Sequence, residues 1–233
     1  MKKTILTGIM SLFMAFNVFA GGDNSVYIDQ TNADNSTLTI TQTGSGNSVG
    51  DRSNLITPAF IIEGNNMNVT FNQDGMNNSI VGNLINGDTT AVINQIGSGN
   101  STTLTQGNFG TNGGNLNIGL TGDNNTTAFT FASTHNTNNY YYNLTVAGNT
   151  NAITSTMNSK YIHNTVSITG NNNTVTSTQN GADGTATTPG HKIEATIIGN
   201  YNTLTVSQTG TTNPNIITLN VAGNNTSTTI TQY

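Results

Sequence analysis

The sequence predicts an all-β protein, a β-solenoid of stacked strand-turn-strand repeats, and three observations predict it. Val, Ile and Leu alternate with Thr and Ser in short runs, a polar Gly-x-x-Asn turn breaks those runs, and the combination recurs along most of the 233 residues. Side chains of a strand point to alternate faces. Ile193, Ala195 and Ile197 therefore share one face, as do Asn202, Leu204, Val206 and Gln208 after the turn Gly199-Asn200-Tyr201-Asn202. The turn also occurs as Gly44 to Asn47, Gly75 to Asn78, Gly97 to Asn100, Gly122 to Asn125, Gly148 to Asn151 and Gly170 to Asn173. Self-similarity at a spacing of about 20 to 30 residues marks a repeat architecture. Charged residues at 6% and hydrophobic residues at 33% would suit a disordered chain. A disordered tract has no reason to hold a fixed parity, however, and the periodicity decides for the solenoid.

Residues 1–20 read as a secretory signal peptide. Lys2 and Lys3 precede the apolar stretch Ile5 to Phe16, and Val18-Phe19-Ala20 sets small residues before a cleavage site after Ala20. The alternative, an uncleaved anchor, lacks a stop-transfer segment, and no later stretch is apolar enough for a transmembrane helix. Residues 21–233 are then one repeat array, secreted and extracellular. Beyond residue 20 only Arg52, Lys160 and Lys192 are cationic, and all 10 Asp and Glu lie there. Phosphate binding draws on clustered Lys and Arg, so nucleic acid is not an expected partner. Cysteine is absent, which removes disulfides, thiolate metal sites and a Cys nucleophile.

In chain order, the first arms are Asn24-x-Val26-x-Ile28-x-Gln30 and Asn35-x-x-Leu38-x-Ile40-x-Gln42. An irregular apolar piece around Leu55 to Ile62 is broken by Pro58. The pattern resumes as Asn66-x-x-Val69-x-Phe71-x-Gln73-x-Gly75. Its clearest form is Ala91-x-Ile93-x-Gln95-x-Gly97-x-x-Asn100-x-Thr102-x-Leu104-x-Gln106. From Gly122 onward the first arm ends on the turn glycine without a Gln, as in Leu144-x-Val146-x-Gly148 and Val166-x-Ile168-x-Gly170. The second arm keeps its amide at Gln179, Gln208 and Gln232 and carries Phe131 and Met157 in two units. Polar inserts at 109–115, 133–139 and 180–190 read as the connections between coils.

A lone unit cannot bury its apolar face. Stacked at the sheet spacing of about 4.8 Å, copies place Val on Val and amide on amide. A buried amide without a partner costs about 1–3 kcal/mol, whereas in a ladder each amide donates to one neighbour and accepts from the other. The residues assigned to such ladders are Gln30, Gln42, Asn47, Gln73, Asn78, Gln95, Asn100, Gln106, Asn151, Asn173, Gln179, Asn202, Gln208 and Gln232. Terminal coils leave backbone edges and ladders unfinished, a template for another chain. Soluble repeat arrays need capping repeats, and the arm Ser227 to Tyr233 carries neither a charge nor a cap. The expectation is end-to-end polymerisation.

The unit Ile93 to Gln106, with Tyr27-Ile28-Asp29-Gln30 and Thr39-Ile40-Thr41-Gln42-Thr43-Gly44-Ser45-Gly46-Asn47, resembles the curlin repeat of bacterial curli subunits. In that family a Gln, a Gly-x-x-Asn-like turn and a second Gln follow in order. The resemblance covers residues 24–47 and 91–106 and continues more loosely to Tyr233. It implies a secreted subunit that leaves through an outer-membrane export pore, meets a nucleator subunit, and polymerises with itself into functional amyloid. Such cell-surface fibres serve the biofilm matrix and cell adhesion, a pilus-like role. The resemblance also implies ladder roles for Gln30, Gln42, Gln73, Gln95, Gln106, Asn47 and Asn100. No cofactor, small-molecule substrate or enzyme activity is expected.

His135, His163 and His191 are evenly spaced, but the turns around them are not, so solvated loop histidines are favoured over a metal stack. No strand-to-helix elbow frames a Ser nucleophile. Asp183 resembles a fragment of a calcium-binding repeat that occurs once. Tyr140-Tyr141-Tyr142 is either an adhesive patch or, by the parity of Tyr142, core. The main competitor is a monomeric or trimeric adhesin or ice-binding solenoid with outward Thr arrays, such as Thr37/Thr39/Thr41, Thr174/Thr176/Thr178 and Thr203/Thr205. Unequal inserts are expected to disturb the lattice match that ice binding requires.

Overall fold

The structure is a computed structural model that describes residues 13–20, 22–31, 37–50, 59–64, 66–85, 90–106, 115–131, 141–159, 163–181, 191–210 and 216–233. Every regular element among them is a strand. The first are β1 (Phe13–Ala20), β2 (Ser25–Val26), β3 (Ile28–Thr31), β4 (Thr37–Ser45), β5 (Ser48–Val49), β6 (Phe60–Glu63) and β7 (Asn68–Met76). Next come β8 (Ser79–Ile85), β9 (Thr90–Ser98), β10 (Ser101–Gln106), β11 (Leu116–Thr121), β12 (Thr126–Phe131) and β13 (Tyr141–Ala147). The last are β14 (Ala152–Ser159), β15 (His163–Thr169), β16 (Thr174–Gly181), β17 (Lys192–Ile198), β18 (Thr203–Gly210), β19 (Ile216–Ala222) and β20 (Ser227–Gln232).

These strands form two parallel sheets. One has 9 strands in the order β1-β4-β7-β9-β11-β13-β15-β17-β19; the other has 11, along β2-β5-β8-β10-β12-β14-β16-β18-β20 with β3 and β6 beside that path. Strands consecutive in sequence, such as β9 and β10, fall in different sheets. The Gly-x-x-Asn turn thus folds the chain over from one sheet to the other, and each strand finds its hydrogen bonds in the neighbouring coils. The protein is a parallel β-solenoid, as the alternation and the turn spacing predict.

The core is the slab between the sheets, built from files of like residues. Phe71, Ile93, Ile118, Leu144, Val166, Ala195 and Leu219 stack in one register position, and all but Leu219 are fully buried. Each buried aliphatic side chain contributes about 1.5–3 kcal/mol. Across the slab, Phe60 meets Phe71 edge-on at 5.0 Å between ring centroids. Not every Thr and Ser faces outward. Thr102, Thr127, Ser155 and Ser177 are buried, and they are tolerated because they pair. Thr127 and Thr102 hydroxyls lie 3.2 Å apart, and those of Ser155 and Ser177 2.8 Å.

Two features concern the first coils. β1 lies inside the stretch read as the signal peptide, yet it pairs in parallel with β4, Phe13 opposite Thr37 through Ala20 opposite Gly44. The irregular piece around Leu55 to Ile62 contributes Phe60–Glu63 as β6, while residues 51–58 lie outside the described residues. An insert therefore splits one rung into β5 and β6, and β6 stands between β3 and β8. The inserts at 109–115, 133–139 and 180–190 lie largely outside the described residues, as do His135, Asp183 and Tyr140.

The third residue of each turn is left-handed, with φ between 55° at Asn77 and 69° at Gly99. Gly and Asn suit that conformation, whereas a β-branched residue is strained there. Thr150, at φ 58°, is such a residue. Thr150→Asn is expected to raise the unfolding free energy by about 1 kcal/mol, read as a shifted urea midpoint at unchanged m-value. An unchanged or lowered midpoint would show that the turn bears no such strain.

Candidate functional site

The fourth residue of each turn points into the slab, and these residues build one continuous amide file. It comprises Asn24, Asn47, Asn78, Asn100, Asn125, Asn151, Asn173 and Asn202. From Asn47 on, each backbone N–H donates to the amide oxygen one coil earlier, as Asn78 does to Asn47 Oδ1 at 3.0 Å and Asn202 to Asn173 Oδ1 at 3.0 Å. Each Nδ2 donates to the turn-glycine carbonyl one coil later, as Asn100 does to Gly122 at 2.7 Å and Asn202 to Gly223 at 2.8 Å. Asn47 through Asn202 are fully buried, so each bond is made in a dry environment where an unmade one is costly. The file ends at Thr226, whose N–H donates to Asn202 Oδ1 at 2.9 Å.

Sequence reasoning named six members of this file and missed Asn24 and Asn125. Both stand three residues after a glycine, Gly21 and Gly122, so the turn signal itself could have found them. It also missed a second file on the outer side of the turns. There Asp123 Oδ1 accepts from Ser98 N–H at 2.7 Å, Asn149 from Asp123 at 2.7 Å, Asn171 from Asn149 at 2.7 Å, Asn200 from Asn171 at 2.8 Å and Asn224 from Asn200 at 2.7 Å. Its signal is the Asn or Asp that directly follows the turn glycine.

The assigned glutamines separate into two short ladders, one on each sheet. On the first sheet Gln42 Nε2 donates to Gln73 Oε1 at 2.8 Å and Gln73 Nε2 to Gln95 Oε1 at 2.8 Å; Gln95 then turns to Thr102 Oγ1 at 3.1 Å. On the second sheet Gln179 donates to Gln208 and Gln208 to Gln232, both at 3.3 Å. Gln30 and Gln106 are not brought into either ladder. Gln30 pairs in register with Ile62, because the split rung delivers Phe60-x-Ile62 where an amide would be needed. Gln106 lies opposite Phe131, and its side chain is outside the described residues. Gln30 is left with both amide atoms buried and without a hydrogen-bond partner.

The outer face of the second sheet carries the Thr array. From β10 to β20 the columns Ser101–Thr126–Ala152–Thr174–Thr203–Ser227, Thr103–Ala128–Thr154–Thr176–Thr205–Thr229 and Thr105–Thr130–Thr156–Thr178–Ser207–Thr231 hold unbroken register. The expectation that unequal inserts would disturb such a lattice is therefore corrected: they leave the strand registers intact. No member of the three columns is charged.

The histidines differ from their expected role as well. His163 opens β15, opposite Tyr141 and Lys192, and His191 is fully buried rather than solvated. No cluster of His, Cys, Asp and Glu suited to a metal occurs among the described residues. Burial lowers the His191 pKa, against which backbone contacts with Gly210 and Asn180 act in the opposite sense. The neutral imidazole is thus favoured in the fold, and the unfolded chain takes up a proton first as pH falls. Stability should hold above about pH 6.5 and decline below it until the folded-state pKa is passed. Comparing denaturation midpoints between pH 8 and pH 5, about one step on either side of that value, His191→Gln should flatten this decline; an unaltered slope would acquit His191.

No family model, no curated protein and no solved structure matches this chain.

Proposed function

We propose that this chain is a secreted structural subunit that polymerises by edge-templated strand addition into curli-like functional amyloid fibres at the bacterial cell surface. A parallel β-solenoid is compatible with a repetitive structural or adhesin-like protein, and the finer reading rests mainly on one observation. Every rung offers the next the same parallel backbone ladder and, through Gln179, Gln208 and Gln232, the same amide ladder. Stacked like rungs of this kind are a template for strand addition. The curlin-like spacing of Gln95, Asn100 and Gln106 adds the partners that the resemblance implies, a nucleator subunit and an export pore. The test is an electron-microscopy time course of the chain from Gly21 onward, diluted from denaturant. Unbranched fibres, with or without a curlin-type seed, support the reading. Discrete particles that persist for days with seed present would overturn it.

A second reading is favoured by the Thr array. Hydroxyls and methyls repeat about every 4.8 Å across strands and about every 6.7 Å along them, an uncharged lattice of the kind an ice-binding or adhesive face needs. Thr176 is at its centre. If that face is the functional surface, Thr176→Lys abolishes inhibition of ice recrystallisation while leaving strand content unchanged; a wild-type chain without such inhibition would dismiss ice binding.

A further inference from the structure

The turn edge of the solenoid carries one residue that its own backbone resists. The left-handed third position of the turns is filled in order by Gly46, Asn77, Gly99, Asn124, Thr150, Asn172, Tyr201 and Asn225. Hydrogen bonds hold these residues in one column. Asn172 N–H donates to Asn149 O at 2.9 Å, Tyr201 N–H to Asn171 O at 3.0 Å and Asn225 N–H to Asn200 O at 3.0 Å. Tyr201 is the aromatic member, at φ 57°, a conformation that disfavours a bulky side chain. Burial does not offset that strain, since 61% of the residue is exposed. One residue before the turn, Ile198 is exposed as well, in register between Thr169 and Ala222. Folding alone would favour Asn at 201, as stands one rung to either side. Strain retained at an exposed position points to a use outside the fold.

What surrounds Tyr201 is amide. Asn172 and Asn225 flank it along the solenoid axis, the first half-buried and the second exposed. In the adjoining outer file Asn171 Nδ2 donates to Asn200 Oδ1 at 3.2 Å and Asn200 Nδ2 to Asn224 Oδ1 at 3.4 Å, which holds those amides in a fixed orientation. Neither column contains a charged residue from Asn149 to Asn225. Lys192 opens β17 at the opposite end of that strand from the turn and is ion-paired with Glu194. We propose that Tyr201, with Asn172, Asn200 and Asn225, forms a binding site for a neutral saccharide. A pyranose has an apolar C–H face to lie on the aromatic ring and a rim of hydroxyls that donate and accept. An amide side chain likewise offers both donors and an acceptor, and the amides repeat about every 4.8 Å along the edge. A charged glycan meets no counter-charge on this stretch of the edge. An extended peptide finds no ladder to join, because the turn N–H groups are already bonded from rung to rung. The site is on the side of the solenoid, so it is open in a single molecule and in a fibre, and it does not rest on the polymer reading.

The test incubates the full chain with microcrystalline cellulose, with chitin, with cross-linked dextran and with phosphatidylcholine vesicles, and measures the unbound fraction at rising protein concentration. The expected result is retention by at least one of the polysaccharides. Tyr201→Asn should weaken that retention about three- to tenfold, the loss of one aromatic contact, whereas Tyr201→Phe, which keeps the ring, should hold most of it. The Asn variant also relieves the left-handed strain, so its urea midpoint should rise while its binding falls. That opposite movement separates a ligand-binding tyrosine from a structural one. A wild-type chain retained by no polysaccharide, retention by the vesicles alone, equal retention of wild type and Tyr201→Asn, or a lowered midpoint in Tyr201→Asn overturns the site. Fibre formation, read separately by electron microscopy, decides the polymer reading independently.

Discussion

Asn125→Ala is expected to lower the unfolding free energy by about 4 kcal/mol, one of the larger losses a single side chain can cause. Its Oδ1 accepts from the backbone N–H and from Nδ2 of Asn151, both at 3.0 Å. Its Nδ2 donates to Gly148 O at 2.7 Å and to Asn100 Oδ1 at 3.0 Å. Truncation strands the Asn151 N–H and the Gly148 carbonyl in a dry interior, at about 1–3 kcal/mol each, and leaves a cavity beside them. Urea unfolding monitored by circular dichroism reads the loss. Thr176→Ala, on the outer face of the same solenoid, should change stability by no more than about 0.5 kcal/mol. If both variants unfold at the same urea concentration, the Asn file is not what holds the turns together.

The second large effect is steric. Gly170 adopts φ +126°, and a Cβ there would lie 2.0 Å from the Gly199 carbonyl oxygen of the next coil. That atom is backbone in a paired sheet and cannot move aside without parting the rungs. Gly170→Ala should therefore lose about 3 kcal/mol or more, from the disfavoured dihedral and from the opened ladder together. Gly223 separates the two terms. Its φ is +137°, but an added Cβ meets nothing nearer than Thr226 Oγ1 at 3.7 Å. Gly223→Ala should cost only the dihedral term, about 1–2 kcal/mol. Equal losses at the two sites would mean that inter-coil crowding contributes little.

Much of this architecture is legible in the residues. The alternation of Ile193, Ala195 and Ile197 gave the buried face, and the Gly-x-x-Asn spacing located the turns, because both reflect strictly local geometry. Six members of the Asn file followed for the same reason. The Gln ladders were less legible, since whether an amide meets an amide depends on the residue one coil away. At Gln30 that neighbour is Ile62, delivered by an insert inside a rung, which no local pattern reveals. The inward Thr127, Ser155 and Ser177 were missed because Thr and Ser suit both faces, and only the register shows that Thr127 meets Thr102 and Ser155 meets Ser177. The uneven turns around the histidines favour solvated loop positions, yet at His191 the chain re-enters the slab, just before β17.

Register has one more consequence, concerning how such a chain can change. Ala152 faces Thr174 and Thr126 faces Ala152 with no offset, so a coil is a whole unit with interchangeable neighbours. Excision of residues 152–173 would bring Thr126 directly onto Thr174 and keep the remaining strands in register, at the expense of the hydroxyl partner that Ser155 gives Ser177. Gene segments that encode one coil can therefore be duplicated or lost in frame, and the protein becomes longer or shorter by one rung while its two faces and its two ends stay the same.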